Sequence, residues 1–170
     1  DPAGPRAAVV VDMLRSRGGL TCGVSRFFDL IDHAYTYGYW NLCMDRGEAS
    51  RVVLGLYSSM AYGMSRTTYA AVECSAIKTG ENAHTLPHTY SNTKQLRLLR
   101  SMLVREKGGT LQLAHFVPRA WLAEGKKIEV RDAPTSFGLV SYTLAADATA
   151  QKGRADVTPP AQSPALAEIS

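Results

Sequence analysis

The sequence predicts an α+β fold: a helical hairpin and a third helix, packed on a C-terminal antiparallel β module. Three observations predict it. Val52, Val53, Leu56, Tyr57, Met60, Ala61 and Met64 recur at spacings that keep them on one helical face. Leu96, Leu99, Met102 and Leu103 repeat the pattern ahead of Gly108 and Gly109, residues that end helices. Residues 117–144 (VPRAWLAEGKKIEVRDAPTSFGLVSYTL) alternate instead, first Ile128 and Val130 against Glu129 and Arg131, then Val140, Tyr142 and Leu144 against Leu139, Ser141 and Thr143. Turn residues flanking runs of period two indicate antiparallel pairing. So few strands do not hold themselves up in water, and the helical sequence before them offers the surface they need.

Taken in order, the chain opens with a Pro/Gly-containing end expected to fray. Residues 7–14 (AAVVVDML) fit either a short strand or the end of a helix. Gly18, Gly19 and Gly23 mark an irregular loop that carries Cys22. Residues 25–42 read as a helix, because Phe27, Phe28, Ile31, Ala34 and Tyr35 share a face with Asp29 and Asp32 beside them. The turn at residues 45–48 opens the next helix, which runs to about Gly63. A short turn between two helices makes an antiparallel hairpin. Residues 67–77 (TTYAAVECSAI) are apolar or small around Glu73 and should be at least partly buried. The polar residues 78–90, broken by Gly80 and Pro87, form a long loop of the kind that is functional or disordered. Ser91 or Asn92 caps a helix to about Lys107, and residues 110–116 read as a strand. Turns are expected at Gly125 and at Ala133–Pro134–Thr135. Residues 155–157 offer one more strand, and residues 158–170, rich in Ala and Pro, a flexible tail.

Composition excludes several classes. A chain of 170 residues with 45% hydrophobic and 20% charged content is globular rather than disordered. Its net charge of +4 is a mild excess, and no run of cations is interleaved with stacking aromatics, so a nucleic-acid partner is not expected. No apolar run reaches the roughly 18 residues of a membrane helix, so no membrane is expected as a partner. The three cysteines, Cys22, Cys43 and Cys74, lack any CxxC and read as small buried residues, with one disulfide plus a free thiol as the alternative.

Residues 67–77 with Glu73, residues 96–106 (LRLLRSMLVRE) and residues 111–143 (LQLAHFVPRAWLAEGKKIEVRDAPTSFGLVSYT), in this order, resemble the closing part of bacterial proteins of the six-hairpin glycosidase-like group. In that group an (α/α)6 toroid of paired helices precedes a β-rich module, and PRAWLAEGKKIEVRDAPTSFGLVSY looks like the start of such a module. The resemblance implies that residues 1–108 are the helical end of a toroid, 109–150 the β module and 151–170 a flexible tail. A full toroid needs at least about twice this length. The chain would then be a C-terminal fragment of a carbohydrate-active protein, partnered by the missing N-terminal part of its parent and contributing part of a sugar-binding cleft.

Glycoside hydrolysis needs two carboxyl groups across the scissile bond, one protonated and one ionised. Glu73 is the candidate acid, since apolar neighbours in sequence would raise its pKa by desolvation. The competing reading pairs it with Arg66 or Tyr69. Asp32, next to His33, is the candidate second carboxylate, against a solvated acid on an amphipathic helix. Tyr39 and Trp40, in a run with Tyr35 and Tyr37, are candidate stacking platforms for sugar rings, against a place in the core. His84 and His88, four residues apart in the polar loop, would line the cleft. They lack the helical frame that aims two rings at one ion, so no metal is expected. No GxSxG and no phosphate-cradling glycine loop is present, and no cofactor is implied. The rival class is a non-catalytic structural or interaction module with core aromatics and a paired Glu73.

Overall fold

The computed structural model describes residues 4–147, 152–158, 161 and 166–169. The chain is mixed α+β and divides into two compact units, Asp1–Leu99 and Arg100–Ser170. The division falls inside the third predicted helix.

The first unit starts with α1 (Pro5–Ser16), a helix opened by a proline in its first turn. Three short strands follow, β1 (Leu20–Thr21), β2 (Val24–Phe27) and β3 (Leu30–Asp32). The helix expected over residues 25–42 is therefore replaced by a hairpin, and only α2 (Tyr37–Asp45) remains of it. Two tight turns explain the change. Cys22 and Gly23, both at positive φ, join β1 to β2, with Thr21 opposite Val24. Phe28 at φ 53° and Asp29 join β2 to β3, with Phe27 opposite Leu30, and the Phe28 ring is left 93% exposed. Asp32 then breaks the strand, because its Oδ1 accepts hydrogen bonds from the backbone N–H of Ala34 and Tyr35, both at 2.8 Å.

Helix α3 (Ala49–Tyr62) follows a short turn, and α2 and α3 form the expected helical hairpin. The hairpin is tight at Gly55, where a Cβ would stand 2.3 Å from Nε1 of Trp40. The buried face of α3 is Val52, Gly55, Leu56, Ser58 and Ser59, whereas Tyr57 and Met60 of the predicted stripe are half exposed. The chain returns through β4 (Cys74–Ala76) and β5 (Asn82–Ala83), completing an antiparallel sheet in the order β1-β2-β3-β4-β5. Ala71, Val72, Cys74 and Ser75 are buried, as residues 67–77 predicted.

Helix α4 (Thr89–Leu103) begins at the close of the polar loop. Its buried stripe is Ser91, Gln95, Leu98 and Met102, while Leu96 is 60% exposed. Gln95 enters the interior because its Nε2 donates to the Gly63 carbonyl at 3.2 Å. A polar residue with a specific partner thus shifts the stripe away from the phase that hydrophobicity alone predicted.

In the second unit the predicted helix to Lys107 stops at Leu103, and β6 (Val104–Lys107) turns back through Gly108–Gly109 into β7 (Thr110–Leu113). Both glycines take positive φ, as a two-residue hairpin turn requires. A single 3₁₀ turn, Arg119–Leu122, precedes β8 (Lys127–Thr135) and β9 (Gly138–Asp147). The turn expected at residues 133–135 lies at Ser136–Phe137 instead, since Ala133, Pro134 and Thr135 pair with Val140, Leu139 and Gly138. Pro134 is tolerated there because β8 is an edge strand. Arg131 and Asp132 form a bulge opposite Ser141, whose hydroxyl accepts from the Asp132 N–H at 2.8 Å.

Strand β10 (Lys152–Thr158) pairs with β9, and β11 (Leu166–Ile169) runs parallel to β7. Part of the predicted flexible tail is thus strand, and apart from Ala161 its remaining residues lie outside the described ones. Val104, Leu111, Leu113, Ala114, Ile128, Val140, Tyr142 and Leu144 form one buried apolar cluster. Within its own unit the β8–β9 hairpin shares this cluster with β6 and β7.

Candidate functional site

Glu73 stands between the buried Val72 and Cys74, yet its carboxylate faces the polar loop. Its backbone is tied on both sides, with N–H to the Thr85 carbonyl and C=O from the His33 N–H, each at 3.1 Å. Its Oε2 accepts from the Thr85 N–H at 3.2 Å. Hydrogen bonds from Thr85 hold the carboxyl below its ordinary range, a slight desolvation opposes them, and the nearby His88 and His84 add to the lowering. The predicted rise by burial is reversed, and Glu73 is an ionised carboxylate rather than a proton donor near neutral pH. Its hydrogen-bond partner is Thr85, not Arg66 or Tyr69.

Asp32 is not on a cleft. It is 4% exposed, its Oδ1 is committed to the two N–H groups that end β3, and the Cys74 thiol approaches Oδ2 at 3.9 Å. Tyr39 and Trp40 are core residues as well. The Trp40 indole N–H donates to the Gly23 carbonyl at 2.8 Å, and its ring covers Gly55. The Tyr39 hydroxyl accepts from Nε of Arg15 at 3.1 Å, and Arg15 also pairs with Glu48. The stacking role predicted for Trp40 is closed by its burial, while Tyr39 shows only an edge, in the cavity between α1 and α2.

The exposed members of the same aromatic run are elsewhere. The Asp32 turn directs Tyr35 outward, 68% exposed, and Tyr37, half-buried, opens α2. On α4, Tyr90, Lys94 and Arg97 fall at spacings of four and three, on the face next to the buried Ser91–Gln95–Leu98 stripe. Tyr35 and Tyr90 meet with ring centroids 5.9 Å apart, and His88 lies 6.4 Å from Tyr90. Nζ of Lys94 is 4.4 Å from the Tyr90 centroid and 5.7 Å from that of Tyr37, and the Arg97 guanidinium lies 4.7 Å over Tyr37. His88 is fixed by its Nδ1, 2.7 Å from the Ser91 hydroxyl.

The structure therefore brings Glu73, His84 and His88 together and joins them through Tyr90 to Tyr35, Tyr37, Lys94 and Arg97. It leaves Asp32, Tyr39 and Trp40 out. The cations interleaved with aromatics that no single run of sequence shows are assembled from two helices. Tyr90, Lys94 and Arg97 escaped the sequence reading, although their helical spacing was a usable signal.

A buried pair resembling a nucleophile and its base also occurs. His33 Nε2 lies 3.2 Å from the Ser75 hydroxyl. Both residues are sealed from solvent, and Ser75 donates its proton to the Tyr62 carbonyl, so its oxygen accepts from His33 Nε2–H. Nδ1 of His33 finds no partner among the described residues, so nothing orients the ring as a catalytic base would need. Burial holds its pKa down at about 4. Cys43 and Cys74 are buried thiols, pushed up by desolvation, Cys74 to about 11. Among the described residues no three His, Cys, Asp or Glu side chains are grouped as metal ligands, and no described helix is long and apolar enough to cross a membrane. A scan against protein-family models and searches of curated proteins and of solved structures found no match to the chain.

Proposed function

We propose that this chain is the C-terminal part of a carbohydrate-active protein and that its first unit supplies part of a sugar-binding surface. The observation that carries the reading is the pair of exposed rings, Tyr35 and Tyr90, continuous with His88 and the ionised Glu73. Pyranose rings present apolar C–H faces and a rim of hydroxyls. A tyrosine pair takes the first, while a carboxylate and an imidazole hydrogen-bond the second. Hydrolysis of a glycosidic bond would be the reaction of the parent, with Glu73 as the ionised partner or as an acceptor for sugar hydroxyls, and the proton donor supplied by the parent's N-terminal part. The large apolar side chains left half exposed on α1 (Val9, Val10, Met13) and on α3 (Leu54, Tyr57, Met60) suit covering by that part. With Asp32 committed to the backbone, the chain supplies no second carboxylate from that position, so this fragment binds without cleaving; the rival, a non-catalytic structural or interaction module, has no sugar site.

Calorimetric titration of the 170-residue chain against a panel of neutral and acidic oligosaccharides tests the binding reading. The double substitution Tyr35→Ala/Tyr90→Ala should weaken binding about tenfold, since each stacked ring is worth about 0.5–1.5 kcal/mol. No sugar bound by the wild type would establish the non-carbohydrate alternative. In the longer parent, Glu73→Gln should cost about a hundredfold or more in hydrolysis, and unchanged turnover would remove Glu73 from the chemistry.

A further inference from the structure

We propose that the sugar recognised at this surface is anionic, a uronic acid or sulfated residue whose charged group sits over Lys94 and Arg97; the inference rests on the sugar-binding reading above. Several other cations lie against carboxylates, Arg15 and Arg51 on Glu48, Lys78 on Asp29, Lys127 and Arg131 on Glu129. Lys94 and Arg97 do not. Each rests on a tyrosine face with no carboxylate partner among the described residues. A ring face fixes the position of a cation while leaving its charge unneutralised and its outer N–H donors free. Two such cations one helical turn apart, beside rings that stack a pyranose, make a fork for one charged substituent and a platform for the ring bearing it.

The surface is also polarised. Glu73, held ionised by Thr85, is near His88 and His84, whereas Lys94 and Arg97 rest on Tyr90 and Tyr37. An anionic sugar is thereby given a direction: its charged group is drawn to Lys94 and Arg97 and repelled by Glu73, which accepts hydroxyl protons of the neighbouring sugar. The same carboxylate weighs against a nucleic acid, whose regularly spaced phosphates need an uninterrupted basic track.

Matched ligands supply the test. Oligomers of a uronic acid and of a sulfated galactan are titrated into the full chain beside their carboxyl-reduced and desulfated counterparts, and an oligothymidylate serves as a non-sugar polyanion. At least one acidic oligomer should bind about tenfold more tightly than its neutral counterpart at low salt, a preference that shrinks as salt rises. Lys94→Gln/Arg97→Gln should abolish the preference, whereas Tyr35→Ala/Tyr90→Ala should weaken the binding of charged and neutral oligomers alike. Equal binding of charged and neutral oligomers by the wild type overturns the inference and leaves the sugar reading standing. Binding of no sugar overturns both, and oligothymidylate bound as tightly as the acidic sugars shows a generic polyanion surface and overturns this inference. The wild-type comparison needs no substitution, so a variant that fails to fold does not protect the proposal.

Discussion

The two cores of this chain are built on different principles. In the second unit, Leu111, Leu113, Val140, Tyr142 and Leu144 close on each other from paired strands, and the cluster is almost wholly apolar. In the first, Asp32, His33, Thr36, Ser75, Ser91 and Gln95 are all buried beside Val24, Trp40 and Val72. An apolar cluster is stabilised in proportion to the area it hides and tolerates shape-conserving exchange. A polar interior is stable only while each buried group keeps its partner and its protonation state. The first should therefore be robust to pH and sensitive to lost volume, and the second the reverse.

Removing volume tests the apolar side most severely. Leu113 is fully buried at the centre of its cluster. Leu113→Ala should cost about 2–5 kcal/mol in urea unfolding, with lost amide exchange protection in β7 and β9. A cost under about 1 kcal/mol would mean the cluster collapses around the gap and is not tightly packed.

The polar side is tested by acid. His33 is neutral in the fold with its pKa lowered to about 4, burial being the main cause. The unfolded chain, at about 6.5, takes up the proton first. Stability should accordingly be intact above pH 6.5, decline as pH falls through 6, and level off below about 4, by about 3 kcal/mol in all. His33→Gln should flatten that part of the curve. An unfolding free energy constant between pH 7 and 4.5 would show that His33 is hydrated or otherwise partnered. Protection of the β8–β9 amides should vary much less over the same range, which is the contrast in its sharpest form.

These cores differ equally in how far the sequence discloses them. Alternation of Val140, Tyr142 and Leu144 is a local property, so the β8–β9 pairing could be read directly. What escaped was the bulge at Arg131–Asp132, which moves the turn to Ser136–Phe137. Its cause is a side chain on the other strand, Ser141. In the first unit, Phe27, Phe28, Ile31 and Ala34 mimic a helical face, but the structure is decided by positive φ at Phe28 and by the Asp32 cap. Neither shows in periodicity. The candidate site divides in the same way. Glu73, His84 and His88 lie close in sequence and were found together. Tyr39 and Trp40 were placed outside because the residue that buries Trp40, Gly55, lies in the next helix.

That dependence makes Gly55 the next test. With Trp40 Nε1 only 2.3 Å from where its Cβ would be, Gly55→Ala should force α2 from α3 and cost about 1–3 kcal/mol. Stabilisation by the better helix former, about 1 kcal/mol in an open helix, would show that the two helices are not in contact there.

The smallest effect asks how apolar the second core is. The Tyr142 hydroxyl is a side-chain polar group within that cluster, and it donates to the Leu103 carbonyl at 2.8 Å, with burial pushing its pKa up to about 12. Tyr142→Phe removes the hydrogen bond but keeps the ring, so the expected loss is about 1 kcal/mol without a change in the urea slope. A much larger loss would mean that this bond, rather than the area buried, sets the register of β9 at the point where the helix gives way to β6. The cluster would then have the polar keystone that distinguishes the His33 region, and the two cores would differ in degree only.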